Sequence, residues 1–448
     1  MKPFVINPSL SLRGSILLLG DKSIAHRALF LSAISRGKTI INNFPANDDC
    51  LNTLKALQDL GVSIIKSRLS GRGLSLTVVV TGLGLDGLRR PEKALFAGES
   101  GTTFRLLLGL LAGQEFLTRL NAGKSLSKRP MLRVTGPLRL MGAQIKARAV
   151  RRGAKYEEYP PAVIKGGCLR AISYKPAVVS AQVKGAILLA GLYANGLTSV
   201  SETAKSRDHT ERMLRLFKAG VKVFGNKVVI KGRPRIVSPG RIILPGDISS
   251  AAFFVVMACL IPGSKILIKH VGLNPLRIGV LRVLKRMGAR IQISGLRSQV
   301  LGGEPFGDLI VRNSALKGAA VSKKEIPSLI DELPVLMVAA SFAKGRTVFE
   351  GVEELRVKET DRIRSMSINL RKMGASIAVV KKGNSERVII EGRGGLKGAS
   401  LSSFNDHRTA LSMAVAGLAA DTPSRIDDIS CINKSFPDFI AKLRTLIG

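Results

Sequence analysis

Lys22–Phe44, KSIAHRALFLSAISRGKTIINNF, is the stretch whose reading decides the fold. Its first dozen residues are apolar on nearly every side, which predicts a helix buried all round. Gly37 then leads into the β-branched run Thr39-Ile40-Ile41, which predicts a strand. Further out, Asp48 to Leu60 carries Leu51, Leu54, Leu57 and Leu60 three residues apart, the stripe of an amphipathic helix. Gly61 closes it, and GVSII starts the next strand. Glycine suits the position after a helix because φ > 0 is open to it there.

The same order recurs five more times. An apolar helix follows Ser100 (SGTTFRLLLGLLAG), Ser180 (SAQVKGAILLAGLYANG), Ser249 (SSAAFFVVMACLIPG), Asp331 (DELPVLMVAASFAKG) and Asp406 (DHRTALSMAVAGLAA). Each copy reaches a closing glycine: Gly61, Gly142, Gly220, Gly288, Gly374 and Gly448, 38 to 43 residues after its start. Repeats of this length mean a repeated supersecondary unit. The expectation is an α/β (α+β) protein of six βαβαββ modules, three to a domain, resembling an inverse α/β barrel. A hinge is expected at Leu244-Pro245-Gly246. The N-terminal strand Ser11–Gly20 is expected to pair with the last three modules, so that residues 1–20 and 245–448 form one domain and 21–244 the other.

Composition narrows the class. With 448 residues and 45% hydrophobic content, the chain is long enough for two cores. The longest apolar run, Ala251 to Pro262, falls short of the roughly 20 residues that span a bilayer. Residues 1–12 lack a signal-peptide core, so a cytoplasmic protein is expected; a monomer is the expected state. Cys50, Cys168, Cys259 and Cys431 form no CxxC pair and no His/Cys metal spacing, so reduced thiols and no zinc site are expected. The net charge of +39 raises nucleic-acid binding, but the cations are scattered and Trp is absent, so no base-stacking platform and no nucleic-acid partner are expected.

Several helix starts carry residues suited to anions, since unpaired N–H groups and the helix dipole are positive there. Gly20-Asp21-Lys22-Ser23 with Arg27 puts an ammonium, a hydroxyl and a guanidinium on one start. Gly98-Glu99-Ser100-Gly101-Thr102-Thr103 with Arg105 makes a second; it is not a P-loop, because GxxxxGK[ST] is missing. Arg129 in Ser127-Lys128-Arg129-Pro130 offers a bidentate clamp for phosphate or carboxylate. In Arg356-Val357-Lys358-Glu359-Thr360-Asp361-Arg362, Lys358 and Arg362 are four apart, which predicts one shared helix face around Glu359. Asn405-Asp406-His407-Arg408 and Lys434-Ser435-Phe436-Pro437-Asp438 add two more cations. Taken singly, each motif is equally an ordinary capped or ion-paired surface. A Ser-His-Asp triad, HExxH and GxGxxG have no support in the sequence.

Together, in order, GDKSIAHRAL, SGTTFR, KRPM, SAQVK, SRDHTERM, PGDISSAAFF, LIDELPVL, RVKETDR, NDHR and KSFPDF resemble the 5-enolpyruvylshikimate-3-phosphate synthase family of enolpyruvyl transferases. The resemblance covers nearly the whole chain. It implies two domains of three modules that close over substrate. It implies transfer of the enolpyruvyl group of phosphoenolpyruvate to the 5-hydroxyl of shikimate 3-phosphate, through a tetrahedral intermediate, with no cofactor. It also implies roles. Lys22, Asp331 and Glu359 are the catalytic groups. Lys22, Ser23, Arg27, Ser180, Ala181, Gln182, Ser206, Arg207, Asp331 and Lys358 hold shikimate 3-phosphate. Lys22, Gly101, Arg129, Gln182, Arg362, Arg408 and Lys434 hold phosphoenolpyruvate. Glu99 and Glu354 stand where the family usually has Asn, placing extra negative charge near anion sites.

Two other readings stand beside this one. UDP-N-acetylglucosamine enolpyruvyl transferases share the module, but they carry a loop cysteine that the stretch Gly113 to Arg129 lacks. A nucleic-acid-binding protein would account for +39. The expectation on the first reading is that Lys22 and Arg129 meet Lys358, Arg362 and Arg408 when the cleft closes.

Overall fold

The computed structural model describes residues 3–68, 74–153, 155–297, 303–383 and 385–447. The closing Gly448 lies outside them. The chain divides into two compact units: Met1–Leu18, Pro245–Ser298 and Pro305–Gly448 form unit 1, and Leu19–Leu244 with Gln299–Glu304 forms unit 2. Two details differ from the sequence expectation. Gly20 goes with unit 2 because its N–H bonds the Asn43 carbonyl at 3.1 Å. Residues 299–304 also go with unit 2, where Glu304 is buried against His209, Nδ1 to Oε1 2.7 Å, and Arg212 donates to the Gly303 carbonyl.

Twelve α-helices occur among the described residues. In unit 2 they are α1 (Lys22–Ala33), α2 (Asp48–Asp59), α3 (Gly101–Leu111), α4 (Leu132–Leu140), α5 (Ala181–Gly191) and α6 (His209–Leu216). In unit 1 they are α7 (Ile248–Leu260), α8 (Gly279–Arg286), α9 (Leu333–Phe342), α10 (Arg362–Lys372), α11 (His407–Ala419) and α12 (Phe439–Ile447). The odd-numbered helices are the apolar runs, apart from the functional starts of some. Twelve of the thirteen residues of α7 are buried. Phe254 at its centre packs edge-on against Phe436 and tilted against Phe439, at 5.9 and 5.6 Å. Truncating such a ring costs about 3–5 kcal/mol. The even-numbered helices bury one face; on α8 and just beyond it, Leu281, Val283, Leu284 and Met287 are all buried.

Five four-stranded sheets share one order: a parallel pair, then two antiparallel strands. In unit 2 the sheets run 241–243, 36–45, 75–83, 63–68; then 95–96, 117–121, 155–165, 144–152; then 173–174, 197–201, 227–231, 222–224. In unit 1 they run 13–17, 265–272, 306–312, 290–297; then 320–321, 344–350, 385–393, 376–382. A three-stranded sheet, 400–401, 424–426 and 4–6, follows the same pattern. The N-terminal strand pairs as expected with unit 1, Arg13 opposite Lys265 in a parallel ladder. Each unit has its own core. In unit 2, α3 and α5 approach so closely that a Cβ on Gly109 would lie 2.3 Å from the Ala186 carbonyl oxygen. In unit 1, α7, α9 and α11 pack against one another.

The closing glycines Gly61, Gly142, Gly220, Gly288 and Gly374 all have φ between 69° and 112°. Asp21 and Asp247, not Ser23 and Ser249, cap α1 and α7, accepting from Ile24 and Ser249 N–H. Among the described residues no helix is long and apolar enough to cross a membrane.

Candidate active site

Unit 2 gathers its sequence-predicted residues at the starts of α1, α3 and α5 and on the segment before α6. Asp21 caps α1, which leaves Lys22 and Ser23 in the first turn. The Lys22 ammonium is half-buried and bonds Asp49 at 2.9 Å, at the start of α2. Arg27, one turn on, is buried and ties three segments together. Its Nη1 donates to the Ser23 carbonyl at 2.8 Å, its Nε to Thr210 Oγ1 at 2.7 Å, and its Nη2 to the Ala181 carbonyl at 3.5 Å. Burial pushes its pKa down to about 10, with Glu211 and Asp21 opposing, so it stays cationic at neutral pH.

Ser100 and Ser180 cap α3 and α5 through the Thr103 and Val183 amides. Gly101 then sits against two guanidiniums: a Cβ there would lie 3.0 Å from Arg129 and 3.1 Å from Arg105. Arg105 donates to Gln182 Oε1 and, at 3.1 Å, to the Pro130 carbonyl. Gln182 in turn donates to Thr102 Oγ1 at 2.8 Å. So Gly101, Arg105, Arg129 and Gln182 form one cationic corner. Ser206 is buried, its N–H bonding Glu202 at 3.2 Å, while its hydroxyl has no hydrogen-bond partner among the described residues. Arg207 follows it, half-buried.

Behind these residues lies a buried polar layer. His26 Nδ1 and Thr53 Oγ1 are 2.7 Å apart, and Thr53 and Thr103 hydroxyls 2.6 Å, which links α1, α2 and α3. Burial, then Lys22 and Arg27, hold the His26 pKa well below the usual imidazole range, so it is neutral. Lys184 lies between Glu202 and Glu211 at 2.8 and 2.6 Å. Burial alone would pull its pKa down; the two glutamates outweigh that and keep it charged.

Glu99 is engaged with the turn that precedes Arg129. Its carboxylate accepts the Ser125 and Leu126 amides at 3.3 and 2.8 Å, at the head of the short 3₁₀ turn Leu126–Lys128. Gly123 makes room for it, since a Cβ there would lie 2.4 Å from Glu99 Oε1. The unexpected acid therefore supports the turn that presents Arg129. Glu354 is half-buried in the first turn of the 3₁₀ helix Glu353–Val357.

Unit 1 assembles a denser cluster from three helix starts. Arg362, the first residue of α10, is buried at 1% exposure. Its Nε bonds Asp406 at 2.9 Å, its Nη2 bonds Glu359, and its Nη1 lies 3.8 Å from Asp331. Burial lowers its pKa, but Asp406, Glu359 and Asp331 outweigh that and raise it. Asp331 also lies 3.6 Å from the Lys358 ammonium, and its carbonyl accepts from Arg408 at 2.6 Å. Asp406 does double duty, since its other oxygen caps α11 through the Arg408 and Thr409 amides. Lys434 borders the cluster, 3.3 Å from Asn405 Oδ1.

The expected helix face is corrected here. Lys358 ends the 3₁₀ turn Glu353–Val357 in extended backbone, and α10 starts only at Arg362, capped by Asp361. Lys358 and Arg362 meet through Asp331, not through helical spacing. Sequence reasoning gave no site role to Asp49, Thr210, Glu332 or Asp406, and it read Arg105 only as part of the anion-suited start of α3. Glu332 is buried among Ser249, Arg277 and Arg408. Asp406 carried a readable signal as an N-cap, and Arg105 one as the i+4 neighbour of Gly101. Among the described residues no group of three or more His, Cys, Asp or Glu is placed to hold a metal ion.

Known proteins match this chain along its whole length. The family model for EPSP synthase (3-phosphoshikimate 1-carboxyvinyltransferase) matches residues 6–443. The chain belongs to the EPSP synthase family. A 3-phosphoshikimate 1-carboxyvinyltransferase of Desulforamulus reducens is 46% identical over 443 residues, 99% of each chain. One from Geotalea uraniireducens is 45% identical over 447 residues, all of both. A solved EPSP synthase from Acinetobacter baumannii has a TM-score of 0.84 at 41% identity, covering 99% of this chain and 98% of that one. The chain is thus an enzyme with the mixed α/β, two-domain fold of EPSP synthases.

Proposed function

We infer that this protein is a 3-phosphoshikimate 1-carboxyvinyltransferase of the shikimate pathway. It joins phosphoenolpyruvate to the 5-hydroxyl of shikimate 3-phosphate and releases phosphate. The observation that carries the residue-level reading is the Asp331 carboxylate. It is flanked by Lys358 and Arg362, with Glu359 on the same guanidinium, in a chain that matches the family end to end.

In this reading the reaction is addition then elimination. Asp331 takes the proton of the 5-hydroxyl as its oxygen adds to C2 of phosphoenolpyruvate. Glu359 delivers a proton to C3, making a methyl group, with Lys22 assisting. The same methyl then loses a proton as the C2–O bond to phosphate breaks. Negative charge builds on the phosphate as it leaves, and preorganised cations stabilise it more in a dry site than in water. Gly101, Arg129, Gln182, Arg362, Arg408 and Lys434, with Lys22, are proposed to hold phosphoenolpyruvate. Arg362 commits Nε and one N–H of Nη2 to Asp406 and Glu359, which leaves Nη1 and the second N–H of Nη2 to offer. Ser23, Arg27, Ser180, Ala181, Gln182, Ser206 and Arg207, with Lys22, Asp331 and Lys358, are proposed to hold shikimate 3-phosphate.

We also propose six βαβαββ modules, three to a domain. The recurring sheet order, two helices per module and the positive-φ closing glycines support this. The two domains are proposed to be the two units. A cytoplasmic monomer is the proposed state, a setting that suits the free thiols of Cys50, Cys168, Cys259 and Cys431.

The test is phosphate release by the purified protein. Release is expected only with phosphoenolpyruvate and shikimate 3-phosphate together. Release with UDP-N-acetylglucosamine in place of shikimate 3-phosphate, and none with the expected pair, overturns the assignment.

A further inference from the structure

The unit 1 sheet built from 13–17, 265–272, 306–312 and 290–297 carries an unusual row on its outer face. Arg13 pairs with Lys265, Lys265 with Arg312, and Arg312 with Arg290. Four exposed cations thus lie side by side across all four strands. Like charges directly opposite work against a sheet. Arg290 is relieved by the Asn313 carbonyl, to which its Nε donates at 2.8 Å. Arg13, Lys265 and Arg312 make no ion pair with a described residue. The nearest acid in register on this face, Asp308, is two rows further on and already accepts the His270 amide at 2.8 Å.

The next row on the face is of another kind: Ser15, Leu267, Ile310 and Gln292. Leu267 and Ile310 line an open cavity of about 580 Å³, with Arg13 and Lys265 beside them. Gly14, Gly263 and Ile266 also line it. That volume is within the roughly 300–1,000 Å³ of small-molecule sites. The place is remote from the Asp331 cluster. Lys265 follows the C-terminal end of α7, whereas Asp247 and Ser249 at its other end adjoin Glu332 and Arg277. The 13 residues of α7 separate the two ends by about 20 Å.

We propose that this face is a second ligand site, which binds a small organic anion with one phosphate or carboxylate head on an apolar body. The head neutralises Arg13, Lys265 and Arg312, and the body covers Leu267 and Ile310. Bulk positive charge explains cations anywhere on the surface. It does not explain a four-strand row without acids beside an apolar hollow.

The test is methyl NMR on the full chain, following Leu267 and Ile310. Phenyl phosphate is the probe, with benzyl alcohol and inorganic phosphate as controls. Saturable shifts of these methyls are expected with phenyl phosphate and not with either control. The Arg13→Gln/Lys265→Gln variant should weaken its Kd at least tenfold and leave phosphate release from the two substrates unchanged. Lys265→Gln alone, at an exposed position, serves if the double variant does not fold. Three results overturn the proposal: no saturable shift of these methyls, the same Kd in the variants, or equal binding of benzyl alcohol. Equal shifts with inorganic phosphate also overturn it, because the apolar floor then contributes nothing.

Discussion

Replacing Glu99 by Ala removes the acceptor of two backbone N–H groups, Ser125 at 3.3 Å and Leu126 at 2.8 Å. Those amides head the 3₁₀ turn that ends at Arg129. A hydrogen bond to a charged acceptor contributes about 1.5–3 kcal/mol. The longer of these two is weak, and water reaches both in part, so the pair contributes about 2–3 kcal/mol. At about 2–4 °C per kcal/mol for a unit of this size, Tm falls by about 5–10 °C. The larger effect is local. If the turn presents Arg129 only a tenth of the time, the apparent affinity of whatever Arg129 holds falls about tenfold. The expected outcome of Glu99→Ala is a rise of about three- to tenfold in KM for phosphoenolpyruvate. KM for shikimate 3-phosphate should stay nearly constant, because the starts of α1 and α5 are untouched. Phosphate release with each substrate varied in turn measures both, beside a thermal melt. A lowered Tm with both KM values unchanged would refute the placement of Arg129 in the site. No change in either measurement would refute the role of Glu99 itself.

Arg362→Lys leaves a buried ammonium that can meet one of Asp406, Glu359 and Asp331; turnover should fall by at least about a hundredfold, read from kcat. Gly101→Ala pushes a methyl to within 3.0 Å of Arg129 and 3.1 Å of Arg105, so KM for phosphoenolpyruvate should rise several-fold with the melt unchanged. Lys184→Met strands Glu202 and Glu211 in the core and should cost about 3–5 kcal/mol at neutral pH. Burial raises the Glu211 carboxyl pKa, and without the cation its main counterweight is gone, so the folded state binds more protons. The variant should therefore be most stable at low pH and lose stability as pH rises, with melts between pH 5 and 8 as the readout.

Much of the architecture was legible because it rests on local rules. The apolar run of α7 reads as a buried helix from composition alone, and five closing glycines take the positive φ that their position after a helix demanded. What could not be read depends on distant parts of the chain. His209 and Glu304 are 95 residues apart, and nothing near either residue announces the pair. Arg27 is placed by Thr210, 183 residues away, so its motif showed the cation but not what orients it. The Lys358–Arg362 pairing was inferred from helical spacing. The backbone there is a 3₁₀ turn followed by extended residues, and Asp331 supplies the link instead. Glu99 was legible as an anomaly of charge. Its use became visible only once the amides of Ser125 and Leu126 were placed.

The excess charge of +39 also takes on a structural sense. Among the described residues, ten of the buried side chains are Asp or Glu and six are Lys or Arg. The chain has 31 acids against 70 bases, so about a third of its acids are spent inside, capping helices or holding buried cations, while most bases face water. The surface is therefore more cationic than the composition alone implies. Such a field draws small anions toward every face and speeds encounter by roughly 10-fold or more at low salt. Both proposed substrates are multiply charged anions. kcat/KM should then fall several-fold as the Debye length shrinks from about 30 Å at 0.01 M salt to about 8 Å at 0.15 M. kcat, which reports events after binding, should change far less. Substrate-concentration series at several salt levels separate the two. Equal falls in kcat and kcat/KM would mean that salt acts on the bound state, where Lys22, Arg129 and Arg408 are proposed to act, and not on the encounter.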